Sequence, residues 1–156
     1  MPTSISAMKL VFEFVATICT GPFAGAALYI TLVEHPARVD CGTALAVTEF
    51  GPSYRRAAVI QALLAAVAFL AALGAWASSS NSAWLLGGIL IVAVIPFTLI
   101  IILPTNKKLL DPSLDRSSET ARQLLTGWGR LHAVRTVLSL TAFLVFVLAM
   151  LVGPAR

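Results

Sequence analysis

Four apolar runs, each long enough to cross a bilayer, constrain this chain more than any other feature of its sequence. They cover residues 10–33, 57–77, 84–103 and 134–152, and about 20 apolar residues in a helix cross the hydrocarbon core. None alternates polar and apolar residues as a barrel strand does, and lipid cannot satisfy open backbone groups, so each run is expected to be a helix. The sequence predicts an all-α fold, a four-transmembrane-helix antiparallel bundle that forms one integral membrane domain over residues 1–156.

Composition agrees with this prediction, since 58% of the residues are hydrophobic and only 12% are charged. The formal net charge of +4 is carried by short segments between the apolar runs, not by a nucleic-acid-binding motif. The lipid bilayer is therefore the expected partner, and nucleic acid is not. The first run continues to residue 33 without a small-residue cleavage pattern, so it is expected to be a permanent span.

Basic residues concentrate at one end of the predicted bundle. The first connection (residues 34–56), the third connection (residues 104–133) and the start of the fourth run carry nine of them: Arg38, Arg55, Arg56, Lys107, Lys108, Arg116, Arg122, Arg130 and Arg135. The other end has only Lys9 and Arg156. By the positive-inside rule, the first and third connections are expected to be cytoplasmic and both termini outside.

The third connection is also expected to contain a short amphipathic surface helix. Ser117 or Ser118 can cap it, and Glu119 suits its first turn. Three apolar side chains then share one face: Leu124, Trp128 and Leu131. Gly127 and Gly129 are expected to break this helix before the fourth span.

The most informative polar pattern is a repeated H-x-x-R motif. His35 and Arg38 close the first span, and His132 and Arg135 open the fourth. Residues three apart share a helix face, although Pro36 is expected to end regular helix near Glu34 and weakens that geometry in the first motif. Both motifs fall at one membrane level together with further polar or aromatic side chains: Tyr54, Arg55, Thr105, Asn106 and Trp128.

This set of side chains favours proton abstraction from a lipophilic molecule. A neutral histidine can accept a proton at physiological pH, and a nearby arginine both keeps it neutral and stabilises the resulting anion. Two alternatives remain open at this stage. His35 and His132 could ligate a metal or haem. Alternatively, the arginines could bind lipid phosphates in a non-catalytic scaffold protein that forms a homo-oligomer through the small residues of the first span.

Several short stretches together resemble a known family. They are Gly25-Ala-Ala-Leu-Tyr29 with Glu34-His-Pro-Ala-Arg38, Gly51-Pro-Ser-Tyr-Arg-Arg-Ala57, Pro96-Phe-Thr98 with Pro104-Thr-Asn106 and Leu109, and Trp128 with His132 and Arg135. In this order and spacing they resemble the anthrone oxygenase-like family of small integral membrane proteins, over most of the chain.

The resemblance implies a four-span bundle that oxidises an anthrone to an anthraquinone with molecular oxygen and no cofactor. His132 or His35 would then be the catalytic base, and Arg135 and Arg38 would stabilise the anion. The substrate, a small lipophilic aromatic, would be held by Tyr54, Arg55, Asn106, Thr105 and Trp128. No metal is expected in such a site.

Overall fold

The computed structural model describes residues 4–152 as a bundle of four long helices. The first helix is α-helical over Ser4–Tyr29, π-helical over Ile30–Glu34 and α-helical again over His35–Asp40. The third helix has the same pattern, with α-helix over Ser82–Phe97, π-helix over Thr98–Ile102 and α-helix over Leu103–Leu109. The second helix, Thr43–Ser79, and the fourth, Glu119–Val152, are α-helical throughout. Each is long and apolar enough to cross a membrane. The chain is therefore an all-α, multi-pass membrane protein, as predicted.

The helices form a ring in which the first and third each pack against the second and fourth. Small side chains allow this close approach: the second helix buries Ala65, Ala68, Ala72 and Ala75 completely. At Gly87 the third helix has no side chain, so the ring of Phe146 rests directly on its backbone. Chain direction places the ends of the first and third helices at the same end of the bundle as the starts of the second and fourth.

Large apolar side chains cover the outside of the bundle. Leu32, Leu70 and Ile100 are each between 65% and 69% exposed. In water this surface would be costly, but lipid tails are an equally apolar solvent. The outer surface thus agrees with burial in a bilayer.

The prediction that Pro36 ends regular helix near Glu34 is wrong, because the first helix continues through this residue to Asp40. A proline has no N–H and its ring clashes with the carbonyl four residues earlier. Here the preceding turn widens instead: the His35 N–H bonds to the Ile30 carbonyl, five residues back. The same arrangement precedes Pro104, where the Leu103 N–H bonds to the Thr98 carbonyl. π-Helical turns of this kind are frequent at functional sites.

The predicted separate surface helix in the third connection is also wrong. Residues 119–133 form the first turns of the fourth helix, which runs without interruption through Gly127 and Gly129. The predicted start is nevertheless confirmed, because Ser118 Oγ accepts a hydrogen bond from the Ala121 N–H at 3.1 Å. Burial of these turns against the bundle outweighs the cost of about 1 kcal/mol per helical glycine.

What remains of the third connection is a short series of turns over residues 110–118. Asp111 accepts hydrogen bonds from the backbone N–H and the hydroxyl of Ser113, at 2.9 and 2.7 Å. These two bonds lower the pKa of the exposed Asp111 carboxyl, so that the turn keeps its negative charge at physiological pH.

Candidate active site

A cavity of about 220 Å³ opens inside the bundle at the end that carries both H-x-x-R motifs. It is larger than the cavity of about 150 Å³ that accommodates benzene in an engineered core. Most of its wall is apolar, with a small polar set that comprises Glu34, Arg38, Ser53, Tyr54, Gln61, Thr98, His132 and Arg135. An apolar pocket with a few convergent polar groups is the usual form of a small-molecule site.

His132 is held in this wall by a hydrogen-bonded pair of threonines. Its imidazole is 2% exposed, and its Nδ1 lies 3.0 Å from the Thr31 hydroxyl on the first helix. Thr31 in turn lies 2.7 Å from the hydroxyl of Thr136, one turn along the fourth helix from His132. The imidazole also stacks on Trp128, with ring centroids 4.8 Å apart and an interplanar angle of 26°. The ring is therefore fixed both in plane and in position.

Arg135 lines the same cavity, and no carboxylate within residues 4–152 pairs with it. Its guanidinium donates a hydrogen bond to Gln61 Oε1 at 2.6 Å and lies 5.6 Å from the ring centroid of Phe23. No ion pair within residues 4–152 involves this arginine. A half-buried positive charge that contacts only neutral groups attracts an anion.

Arg38 differs from Arg135 because its charge is already balanced. It forms ion pairs with Glu34 and, from Nε to Oε2 at 2.9 Å, with Glu49. Glu34 also accepts a hydrogen bond from Ser53 at 2.8 Å. The side chain of Arg38 touches the cavity, but these two carboxylates make it a structural part of the wall.

Trp128 connects the two predicted motifs. Its indole N–H donates to Asn106 Oδ1 at 2.9 Å, and both side chains are buried. Its ring contacts that of His35 at a centroid distance of 5.0 Å and meets that of Phe50 edge-on at 5.3 Å. His35 itself packs closely on the backbone at Gly129 and is not part of the cavity wall.

The structure thus brings together most of the predicted site residues, but in different layers. Those that line the cavity are His132, Arg135, Arg38, Tyr54 and Trp128. His35 and Asn106 support Trp128 from outside the cavity wall. Arg55 is exposed, and Thr105 lies in a separate groove with Gln123 and Arg130.

Sequence reasoning missed Thr31, Gln61 and Thr136. Gln61 had a usable signal, because it is a polar residue in an apolar run and lies seven positions, two helical turns, after Tyr54. The threonines gave little signal, since a hydroxyl in a membrane helix is commonly satisfied by the carbonyl four residues earlier. Only the structure shows that they meet across two helices.

No group of three or more histidine, cysteine, aspartate or glutamate side chains within residues 4–152 is placed to hold a metal ion. Of the two histidines considered as metal or haem ligands, only His132 lines the cavity. The imidazoles of His35 and His132 therefore do not both line this cavity.

Fold and site together define a class: a multi-pass α-helical membrane protein whose bundle encloses a histidine- and arginine-lined cavity at one end. A family model described as "Anthrone oxygenase" matches residues 50–145, more than half of the 156 residues. The chain belongs to the anthrone oxygenase family, which confirms the resemblance seen in the sequence. Neither a curated protein nor a solved structure matches it.

Proposed function

We propose that this protein is a membrane-embedded, cofactor-independent oxygenase that acts on a lipophilic aromatic of the anthrone type. The observation that carries the proposal is the pairing, in one apolar cavity, of a hydrogen-bonded imidazole with an arginine that pairs with no carboxylate within residues 4–152. His132 is the base, and Arg135 stabilises the anion that forms. Of the two candidate bases, His132 is favoured because it lines the cavity.

The chemistry needs only the substrate and O₂. His132 removes a proton from the methylene carbon between the rings, and the negative charge of the resulting anion spreads to the carbonyl oxygen beside Arg135. The anion passes one electron to O₂, and recombination of the two radicals forms a C–O bond and a peroxide, which regains the proton from His132. Loss of water breaks the O–O bond and the remaining C–H bond. One oxygen atom thus enters the quinone carbonyl, and the other leaves as water.

Flat aromatic walls suit a flat aromatic substrate. Phe50 and Tyr54 lie with their rings nearly parallel, at 2°, with centroids 5.7 Å apart, and Trp128 stands edge-on to Phe50 at 86°. Offset and edge-on contacts are the favoured arrangements between aromatic rings. These side chains orient the substrate so that its methylene group faces His132.

The substrate reaches the cavity from the bilayer. Ala62 on the second helix and Leu99 in the π-helical turn of the third line the cavity and are also exposed on the lipid-facing surface. The seam between these two helices therefore joins the cavity to the membrane interior. A lipophilic aromatic concentrates there without having to cross water.

The test is oxygen consumption by the purified protein in detergent or nanodiscs supplied with an anthrone. The wild type is expected to consume one O₂ per quinone formed, and His132→Ala to lose about 10²-fold to 10⁴-fold in rate, the usual contribution of a general base. Unchanged turnover in His132→Ala, with a normal melting temperature, would remove the proposed base.

The same preparation separates the other functions considered. Loss of turnover on chelation, or a Soret absorption band, would indicate a metal or haem protein. Absence of any turnover, with lipid binding that depends on Arg38 and Arg135, would indicate a scaffold.

A further inference from the structure

Four polar atoms link His132 to the backbone of the first helix in a single hydrogen-bonded chain. His132 Nδ1 lies 3.0 Å from the Thr31 hydroxyl, Thr31 lies 2.7 Å from the Thr136 hydroxyl, and Thr136 donates to the Ala27 carbonyl at 3.1 Å. The last link has a direction, because a carbonyl can only accept.

That direction determines the others. The single hydroxyl proton of Thr136 goes to a carbonyl, that of Ala27 at 3.1 Å or that of His132 at 3.3 Å, so the proton between the two threonines must come from Thr31. Thr31 then has only lone pairs to offer His132, and Nδ1 must be the donor. The opposite direction would turn the Thr136 hydroxyl towards Thr31 and give up its bond to a carbonyl, so it satisfies one hydrogen bond fewer.

We infer that Thr31 and Thr136 are positioning residues that hold neutral His132 in the tautomer protonated on Nδ1, with the Nε2 lone pair available to the cavity. Nε2 has no hydrogen-bond partner within residues 4–152, whereas its ring lines the cavity. When Nε2 takes a proton, the Nδ1–H bond to Thr31 becomes charge-assisted and strengthens. The catalytic consequence of this tautomer rests on the proposed function, but the tautomer itself does not.

Thr31 reaches His132 from the π-helical turn Ile30–Glu34. The wider turn changes the facing of the residues in it relative to a regular helix. The π-helical turn before Pro36 therefore contains the residue whose hydroxyl bonds to His132 on the fourth helix.

The tautomer is measured by ¹⁵N NMR of histidine-labelled protein in nanodiscs, a simple case because the chain has two histidines. His132→Gln assigns the signals. Wild-type His132 is expected to show a protonated Nδ1 and an unprotonated Nε2. Thr31→Val, which keeps the shape and removes the hydroxyl, should shift the tautomer ratio about 2-fold to 10-fold towards Nε2–H, the effect of one ordinary hydrogen bond. Thr31→Ser should restore the wild-type spectrum.

Thr141→Val is the control, since the Thr141 hydroxyl lies on the fourth helix with His132 and, within residues 4–152, bonds only to the Val137 carbonyl. It should leave the spectrum unchanged. If Thr31→Val does not fold, Thr136→Val carries the test, with a smaller shift in the same direction. A wild-type spectrum with the proton on Nε2, or a Thr31→Val spectrum identical to the wild type, overturns the inference.

Turnover gives a separate outcome. Thr31→Val is expected to lower kcat about tenfold with little change in KM, because the substrate does not contact Thr31. A protein with the expected tautomer but no oxygenase activity would contradict the proposed function and leave the inference intact.

Discussion

At the scale of single residues, the two arginines of the repeated motif have separate tasks although their sequence contexts look alike. Arg38 is bound to two carboxylates, whereas Arg135 is bound to the amide of Gln61. The difference lies in residues far away in the sequence, so the motif alone could not reveal it. The half-buried charge of Arg135 is therefore the one available to the proposed anionic intermediate.

These different partners predict that replacement by glutamine lowers activity at Arg135 but lowers stability at Arg38. Arg135→Gln should lower kcat/KM about 10²-fold to 10³-fold, as for the loss of a donor to a developing oxyanion. It should leave the melting temperature nearly unchanged. Arg38→Gln should mainly destabilise the fold, by less than the roughly 3–5 kcal/mol of a fully buried pair, because the Glu49 side chain is 43% exposed.

Oxygen-consumption assays and thermal melts in the same detergent measure both effects. If Arg38→Gln lost activity without loss of stability, and Arg135→Gln the reverse, the roles assigned here would be exchanged.

At the scale of helices, the sequence predicted which segments are helical better than where they end. Hydropathy detects the apolar part of each helix, but all four helices extend beyond their apolar runs into polar residues. Gly127 and Gly129 were taken as breaks because isolated glycines disfavour helix. Helix propensity does not include the contact between Gly129 and His35, because these residues are far apart in the sequence.

The fourth helix therefore contains a matched pair of glycines with opposite expected behaviour. A Cβ at Gly129 would lie 2.6 Å from His35 Nε2 and would displace this half-buried ring, whereas a Cβ at Gly127 meets nothing within 4 Å. Gly129→Ala should destabilise the protein by about 1–3 kcal/mol through overpacking. Gly127→Ala should stabilise it by up to about 1 kcal/mol. Equal shifts in the two melting temperatures would contradict this packing.

The seam between the second and third helices gives another test at this scale. Ala62→Trp should narrow the route from the bilayer and raise KM about tenfold or more, since a large ring would occupy the opening. Leu63→Trp is the control, because Leu63 is 62% exposed and is not part of the cavity wall. Equal kinetics in the two variants would mean that the substrate enters elsewhere.

At the scale of the whole molecule, chain direction in an antiparallel bundle places both H-x-x-R motifs at one end, and this was predictable from the sequence. The hydrogen-bonded chain through Thr31 and Thr136 was not predictable from the sequence, and neither was the pairing of Gln61 with Arg135. Both depend on the rotation of each helix about its axis. Rotation is set by packing of small residues and by π-helical turns. No local pattern determines it.

Orientation in the membrane remains a prediction from the basic residues. Cys41 is exposed in the connection at the cavity end, and Cys19 lies within the first span. A membrane-impermeant maleimide should therefore label Cys41 in inside-out vesicles but not in intact cells, with Cys41→Ser as the control. Labelling of intact cells would reverse the orientation.

If the cavity itself ionises the substrate before oxygen reacts, the ionised substrate will be visible in an anaerobic binding spectrum. Mixing the purified protein with an anthrone in the absence of O₂ should produce the visible absorption of the anthrone anion, which disappears on admission of air as the quinone forms. His132→Ala should bind the anthrone without this absorption. A wild-type protein that binds the anthrone and leaves it neutral, or a His132→Ala variant that ionises it equally well, would contradict the account.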